Sequence, residues 1–423
     1  MKSTSIAIFH STLFLDGDAY SNGKTLNMNI MRFNTLRNRA ISGAIFLFLL
    51  YTSYSCKKED PAESYLRGGN CLIATPDGNM LIAGFNTGGG GSYDGYLTKV
   101  DTSGNILWGN HYGNNLTDGF YKVIAAPGGG YVATGFISVS SNLHTNLVIV
   151  KVKETGEQEW MAFFGGDSIS QGFSLATTKD NGYLACGYIQ DGINDDRDLY
   201  FVKVNAGGEK VWEKRYGNQV AQHTASAYDE AYDIVSCNDS TFYVTGSLAG
   251  KSNCCGNLFI MKLNEDGDSL WTQSFSEGLG YSIITALDDG LVVGGMVAGN
   301  GQDVYALKTD MDGEKIWDKT IGGTGYDFGT SIVKSVDNAY TITGITNKTG
   351  SANQDILLNK LNSSGTLQWS KSFGEENVEQ GIGLISFPDG GYSITGLSNS
   401  GGSFIFLNRT DSAGVERWKK KIK

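Results

Sequence analysis

An all-β fold is what this sequence predicts, specifically a seven-bladed β-propeller of four-stranded antiparallel blades, and three observations carry that expectation. Seven tryptophans recur at intervals of about fifty residues, each nine residues after a basic residue and four after a glycine. The chain holds 58 Gly and only 4 Pro with 11% aromatic residues, which suits short strands and tight turns. Apolar runs inside the repeats are continuous instead of alternating, so both faces of each small sheet must be covered.

The tryptophans are Trp108, Trp160, Trp212, Trp271, Trp317, Trp369 and Trp418, and their basic partners are Lys99, Lys151, Lys203, Lys262, Lys308, Lys360 and Arg409. Self-similarity at such a period marks a stacked-repeat architecture. The last repeat shows its parts most clearly. Strand a over 382–387 leads through Pro388-Asp389-Gly390-Gly391 to strand b over 392–397. After a short loop, strand c over 404–410 leads through Asp411-Ser412-Ala413-Gly414 to strand d over 415–421. A second glycine recurs within strand b, from Gly84 to Gly396, where a close approach is expected and a neighbouring tryptophan is the candidate. In strand c, Tyr200-Phe201-Val202 and Phe259-Ile260-Met261 are apolar at consecutive positions, so each sheet is sandwiched between two others. Radial packing of roughly four to eight such sheets makes a propeller. An open solenoid would need polar capping repeats, and neither terminal repeat is one.

The run Asp-x-x-Gly-x-x-x-Trp, as at 101–108 and 411–418, resembles the tryptophan-docking motif of quinoprotein-type propellers. That resemblance implies that the strand-d tryptophan wedges against the next blade. The longer pattern Lys-Leu-Asn-Ser-Ser-Gly-Thr-Leu-Gln-Trp at 360–369, followed by Phe373-Gly374 and Pro388-Asp389-Gly390-Gly391-Tyr392, resembles a repeat of bacterial envelope propellers. It covers about residues 66–423 and speaks for fold, since one fold hosts many functions.

Ahead of the repeats, residues 31–55 read as a secretory signal. Met31 opens a basic stretch with Arg32, Arg37 and Arg39, and the apolar run over 40–51 is too short to span a bilayer as a helix. Ser53-Tyr54-Ser55-Cys56 resembles a bacterial lipobox in which Cys56 is lipidated, although Ser53 stands where Leu is usual. Lys57-Lys58-Glu59-Asp60 resembles the charged tract that routes some lipoproteins to the outer face of the outer membrane. An ordinary cleaved signal with an incidental cysteine is the alternative. Residues 1–30 fit no part of a signal and Met31 is the expected start; residues 56–65 form a tether. Net charge is -11, which would repel a phosphate backbone, so nucleic acid is not an expected partner.

Loop lengths separate scaffold from variable surface. Every c–d turn has the same length, whereas the b–c loops and the d–a connections vary. In a meandering blade those variable segments emerge together on one rim, the expected functional face. The longest connection, over 217–230, carries His223, Tyr228, Asp229 and Glu230. The neighbouring blade-3 loop carries Asp191, Asp195, Asp196 and Asp198, and the blade-4 loop carries Cys254-Cys255. These form one candidate ligand rim; a neutral surface insertion is the alternative. The acidic loop lacks the ligand spacing of a calcium site and has Arg197 as counter-charge, so no metal is expected. The Asp-rich c–d turns, such as Asp310-Met311-Asp312-Gly313, are turn chemistry.

A Cys254-Cys255 bridge would be strained. Some quinoprotein dehydrogenases carry one against their quinone, but those enzymes resemble eight-bladed propellers, so no cofactor is expected here. Of the histidines after the signal, His111 on strand d reads as packed, and no serine sits in a nucleophile elbow. The basic residue of each repeat reads as a stem packed between blades with its head at the rim or paired to a carboxylate. The whole predicts a lipid-anchored outer-membrane propeller, a monomer exposed at the cell surface or periplasm, acting as a non-enzymatic scaffold for an envelope protein. A glycan-binding lipoprotein using Tyr93 and Tyr228, and a quinone-dependent oxidoreductase, are the other two classes.

Overall fold

Among the described residues of the computed structural model, runs of β-branched and aromatic residues between Gly- and Asp-rich turns form 27 strands and no helix. The structure describes residues 68–422 apart from 88–91, 141–143, 192–196, 218–227, 238–239, 250–255, 299–301, 324, 348–352, 375–377 and 400–403. All of them belong to the unit Glu63–Lys423. Blade 1 is typical, with strands a to d at Gly68–Ala74, Met80–Thr87, Tyr93–Val100 and Ile106–Tyr112, hydrogen-bonded antiparallel in chain order. Seven such meanders follow one another. Blades 4 and 5 share one strand, Ser269–Thr285, which pairs with Asn257–Leu263 through its first half and with Gly290–Ala298 through its second. This is the shortest d–a connection in the sequence, and the chain runs straight through it.

The core confirms the radial arrangement. It divides into seven apolar clusters, one in each gap between adjacent blades. The gap between blade 7 and blade 1 is filled like the others, with Leu72 and Ile82 against Ile385, Ile405 and Leu407. Propeller closure therefore needs no special capping.

Each tryptophan lies on the outermost strand with its ring against the c–d turn glycine of the following blade. Trp108 meets Gly156, Trp212 meets Gly267, Trp317 meets Gly365, and Trp418 of the last blade meets Gly104 of the first. Those seven turn glycines have φ between +73° and +85°, and a Cβ on any of them would stand within 3.1 Å of the indole. Glycine is required there for the backbone conformation and for the ring. The tryptophans are half-buried. Strand d is the outer edge of its blade, and only a turn of the neighbour covers it.

The strand-b glycines have a different cause from the one expected. A Cβ at Gly84, Gly135, Gly187, Gly246, Gly295, Gly344 or Gly396 would lie 1.6–2.0 Å from a carbonyl oxygen of strand a in the same blade. Each faces a β-bulge, for instance at Asn70 between Gly69 and Cys71, that drives the inner strand onto its partner. No tryptophan is involved.

The basic residues are largely neutralised. Lys99, Lys203, Lys308, Lys360 and Arg409 pair with Asp77, Asp180, Asp288, Asp337 and Asp389, each on the a–b turn of its own blade, at 2.6–3.3 Å. Lys151 pairs with Glu159, and Lys262 lies over the Tyr243 ring. The turn aspartates act locally too: Asp101, Asp310 and Asp411 each accept two backbone N–H bonds within their own turn.

Candidate functional site

Because every blade is an up-and-down meander, b–c loops and d–a connections leave from one rim and the a–b and c–d turns from the other. The loop rim repeats a junction between neighbouring blades. A carbonyl at the head of strand c accepts an N–H from the residue preceding or opening the next strand a: Asp118 to Tyr93, Asp229 to Arg197 and Glu379 to Gln354. Side chains meet at the same place, with Gln171 on Thr145 and Gln380 on Gln354.

Between blades 3 and 4 that junction is charged. Arg197 opens strand c of blade 3 (Arg197–Val204), and Glu230 opens strand a of blade 4 (Glu230–Ser236). Arg197 Nη1 pairs with Glu230 Oε1, and the two residues are 4% and 2% exposed. The guanidinium lies over the Tyr188 ring at 4.3 Å and the Tyr228 ring at 4.6 Å. Glu230 Oε2 accepts from the Tyr232 hydroxyl. Burial opposes a charge on Arg197, yet the Glu230 carboxylate outweighs it and raises the guanidinium pKa. Burial first, and then the same carboxylate, push the Tyr232 hydroxyl well above its ordinary range. The result is a rigid polar knot in which the donors and acceptors satisfy one another.

The knot ties three loops together at their described ends. Tyr228 and Arg197 form a parallel bridge, so the end of the long connection lies beside the start of strand c of blade 3. Asp229 Oδ1 then accepts Ala249 N at 2.6 Å, which fastens the start of the blade-4 loop. Asp191 lies at the other end of the blade-3 loop. It accepts from the Ser168 hydroxyl and pairs with Arg215 at 2.5 Å, and those partners hold its carboxyl below the usual range. Of the candidate residues, Asp191 and Tyr228 are thus placed on the loop rim. Asp195, Asp196, His223, Cys254, Cys255 and the lipidation candidate Cys56 lie outside the described residues. Arg197 pairs with Glu230, and the acidic residues Asp195 and Asp196 that it was expected to balance lie outside the described residues. Sequence reasoning missed Tyr188, Tyr232 and the Arg197–Glu230 pairing.

Along the axis, strand-a bulges place Tyr121, Phe173, Tyr232 and Tyr281 of blades 2 to 5 in succession, with ring centroids 5.1–5.4 Å apart. The residues after the bulges make a polar layer. Asp233 accepts from Lys122 Nζ at 2.9 Å, Ser174 Oγ at 2.6 Å, Ser282 Oγ at 3.2 Å and Ile283 N at 3.0 Å, and so ties four blades across the axis. Burial raises the Cys71 and Cys186 thiols beside it, which keeps them protonated. His111 stacks on Tyr96 at 4.8 Å and faces Asp94 at 3.6 Å on the outer wall. Among the described residues, no group of three or more His, Cys, Asp or Glu is arranged to hold a metal ion.

No protein-family model matches the chain, and no curated protein matches it in sequence. Solved structures match its fold. A periplasmic gluconolactonase from Pseudomonas aeruginosa aligns with TM-score 0.54 at 11% identity, over 85% of this chain and 95% of that one. A lectin from Burkholderia pseudomallei aligns with TM-score 0.54 at 11% identity, over 85% and 99%. The Dos1 propeller aligns with TM-score 0.50 at 9% identity, over 85% and 86%. These neighbours include an enzyme and a lectin, so the shared fold is a β-propeller and carries no single activity.

Proposed function

We propose that this protein is a binding or scaffold propeller of the bacterial cell envelope, held at the outer membrane by a lipid on Cys56 and without catalytic activity of its own. Its partner is an envelope protein, engaged by the loop rim of blades 3 and 4. The observation that supports this most is the buried Arg197–Glu230 knot, which anchors the longest inter-blade connection and the flanking loops on one rigid base. Variable loops on a fixed scaffold are how propellers and other repeat folds present binding residues. Glycan binding is the weaker alternative, because both half-buried tyrosines considered for it already pack against other side chains. Tyr93 packs edge-on against Phe85 and Tyr228 covers Arg197. A quinone-dependent oxidoreductase would rest on Cys254-Cys255 alone.

Affinity capture from envelope extracts tests the proposal. The full chain recovers a defined partner, and trimming residues 219–225 removes it; retention of every partner by the trimmed chain sinks the loop-rim site. Palmitate labelling and membrane fractionation of Cys56→Ala test the anchor, which is wrong if the variant still carries label and still sediments with membranes.

A further inference from the structure

The opposite end of the axis carries a second, unrelated feature. Three residues beyond each bulge, strand a presents an aliphatic side chain, and Val235, Ile284, Val333 and Ile385 wall a recess of about 380 Å³ at the turn-rim mouth. Ala74, Thr285, Lys334 and Ser386 complete it, so it spans the consecutive blades 4, 5, 6, 7 and 1. The apolar surface continues outward over the a–b turns of blades 5 and 6, where Leu287 and Val336 are 48% and 60% exposed.

One position departs from the repeat. The residue that follows the aliphatic one is Ala74, Ala125, Thr177, Ser236, Thr285 or Ser386 in six blades and Lys334 in blade 6. Blade geometry asks for a small neutral side chain there, so a lysine is not explained by the fold. Lys334 Nζ donates to Thr285 Oγ1 at 3.0 Å, and among the described residues no carboxylate pairs with it. The strand-c lysines differ, since Lys99, Lys203, Lys308 and Lys360 all have an aspartate. An ammonium with N–H bonds to spare, set in an aliphatic wall, matches one small anion attached to a hydrocarbon body.

The geometry points to a binding site for an aliphatic carboxylate at the turn-rim mouth, with the chain against Val235, Ile284, Val333 and Ile385 and the carboxylate on Lys334 and the Thr285 hydroxyl. It is independent of the loop-rim proposal, because the two lie at opposite ends of the strands. Either a fatty-acid anion or the C-terminus of a peptide ending in an aliphatic residue supplies this chemistry.

Calorimetric titration of the full chain separates these sources and tests the site. The probes are octanoate against 1-octanol, and Gly-Ala-Leu against its C-terminal amide. At least one carboxylate binds with millimolar affinity or better, about tenfold more tightly than its neutral counterpart, a preference of about 1.4 kcal/mol. Lys334→Met abolishes that preference and Lys334→Arg keeps it; Lys334 is half-exposed, so neither change threatens folding. The site is refuted if neither carboxylate binds, if each neutral counterpart binds equally well, or if Lys334→Met retains the discrimination.

Discussion

Replacing single tryptophans by phenylalanine gives a sharp test of how the blades are fastened, because the seven are not equivalent. Trp108, Trp160, Trp212 and Trp317 donate Nε1–H to a backbone carbonyl of the next c–d turn, at Glu154, Ala206, Glu265 and Ser363, with distances of 3.1–3.2 Å. The acceptor stands two residues before the turn glycine each time. For Trp271 that position is Met311, whose carbonyl is already taken by the Tyr243 hydroxyl at 3.1 Å. The Trp271 N–H is left buried without a partner. A net hydrogen bond is worth about 1 kcal/mol, and an unsatisfied buried donor costs about 1–3 kcal/mol.

Trp212→Phe should therefore lose about 1 kcal/mol from the hydrogen bond, whereas Trp271→Phe removes an orphaned donor and should be neutral or stabilising by about 1 kcal/mol. Both lose similar ring area, so area cancels in the comparison and the expected gap is about 2 kcal/mol. In a propeller of this length, with unfolding entropy near 2.1 cal/mol/K per residue, that gap is about 3 °C in Tm. Equilibrium urea denaturation measures it directly, with calorimetric melting as a second readout. Tyr243→Phe supplies the internal control. It frees the Met311 carbonyl for the indole, and in that background Trp271→Phe should become costly. Equal losses for Trp212→Phe and Trp271→Phe would refute a docking role for the indole N–H and leave only the ring.

Three further outcomes follow from the same geometry. Burial, opposed by N–H bonds from Asn114 and Ser138 and reinforced by Asp94, pushes the Asp118 carboxyl up to about 6. A raised acid favours the protonated folded state, so its stabilising contribution is full below about pH 4 and lost as pH rises through 6; Asp118→Asn should remove about 2–3 kcal/mol of the gain seen between pH 7 and pH 4, and an unchanged pH profile would contradict this. Arg197→Met leaves Glu230 buried without its cation and should cost about 3–5 kcal/mol, of which adding Glu230→Gln recovers part; a double variant no better than the single one argues against the pair. Gly246→Ala drives a Cβ to within 1.9 Å of the Glu230 carbonyl and should destabilise by at least about 3 kcal/mol, whereas a substitution at the open Gly78 turn position, with no neighbour within 4 Å, should cost only its backbone strain, as urea midpoints would reveal.

Much of the fold was legible because it repeats. The fixed interval from Lys or Arg to Trp marks strand c, its turn and strand d, and the sheets form where that interval places them. What the interval hides is which atom makes a residue necessary. A recurring strand-b glycine reads the same whether an indole or a carbonyl approaches, and only the register shift beside Gly187 or Gly246 decides for the carbonyl. The fused strand Ser269–Thr285 was equally hidden, since a short d–a spacing tells of a tight connection but not of one that has vanished.

The loop-rim knot and the Lys334 recess were harder to see for a related reason. Arg197 and Glu230 lie 33 residues apart, separated by two strands and the longest connection, so no local pattern links them. Aligned by blade they are conspicuous, because Arg197 occupies the place of Thr145 and Gln354, and Glu230 that of Gln171 and Gln380, which meet as neutral pairs. Lys334 stands out the same way against Thr285 and Ser386. In a repeat protein the demands of packing are nearly equal at equivalent positions. A charge that appears at one such position and nowhere else in its column is therefore answering something other than the fold. At Arg197 the answer is Glu230, and it lies inside the protein. At Lys334 no internal carboxylate answers among the described residues, which is why the turn-rim recess, and not the better-buried knot, is where an external anion has a place to bind.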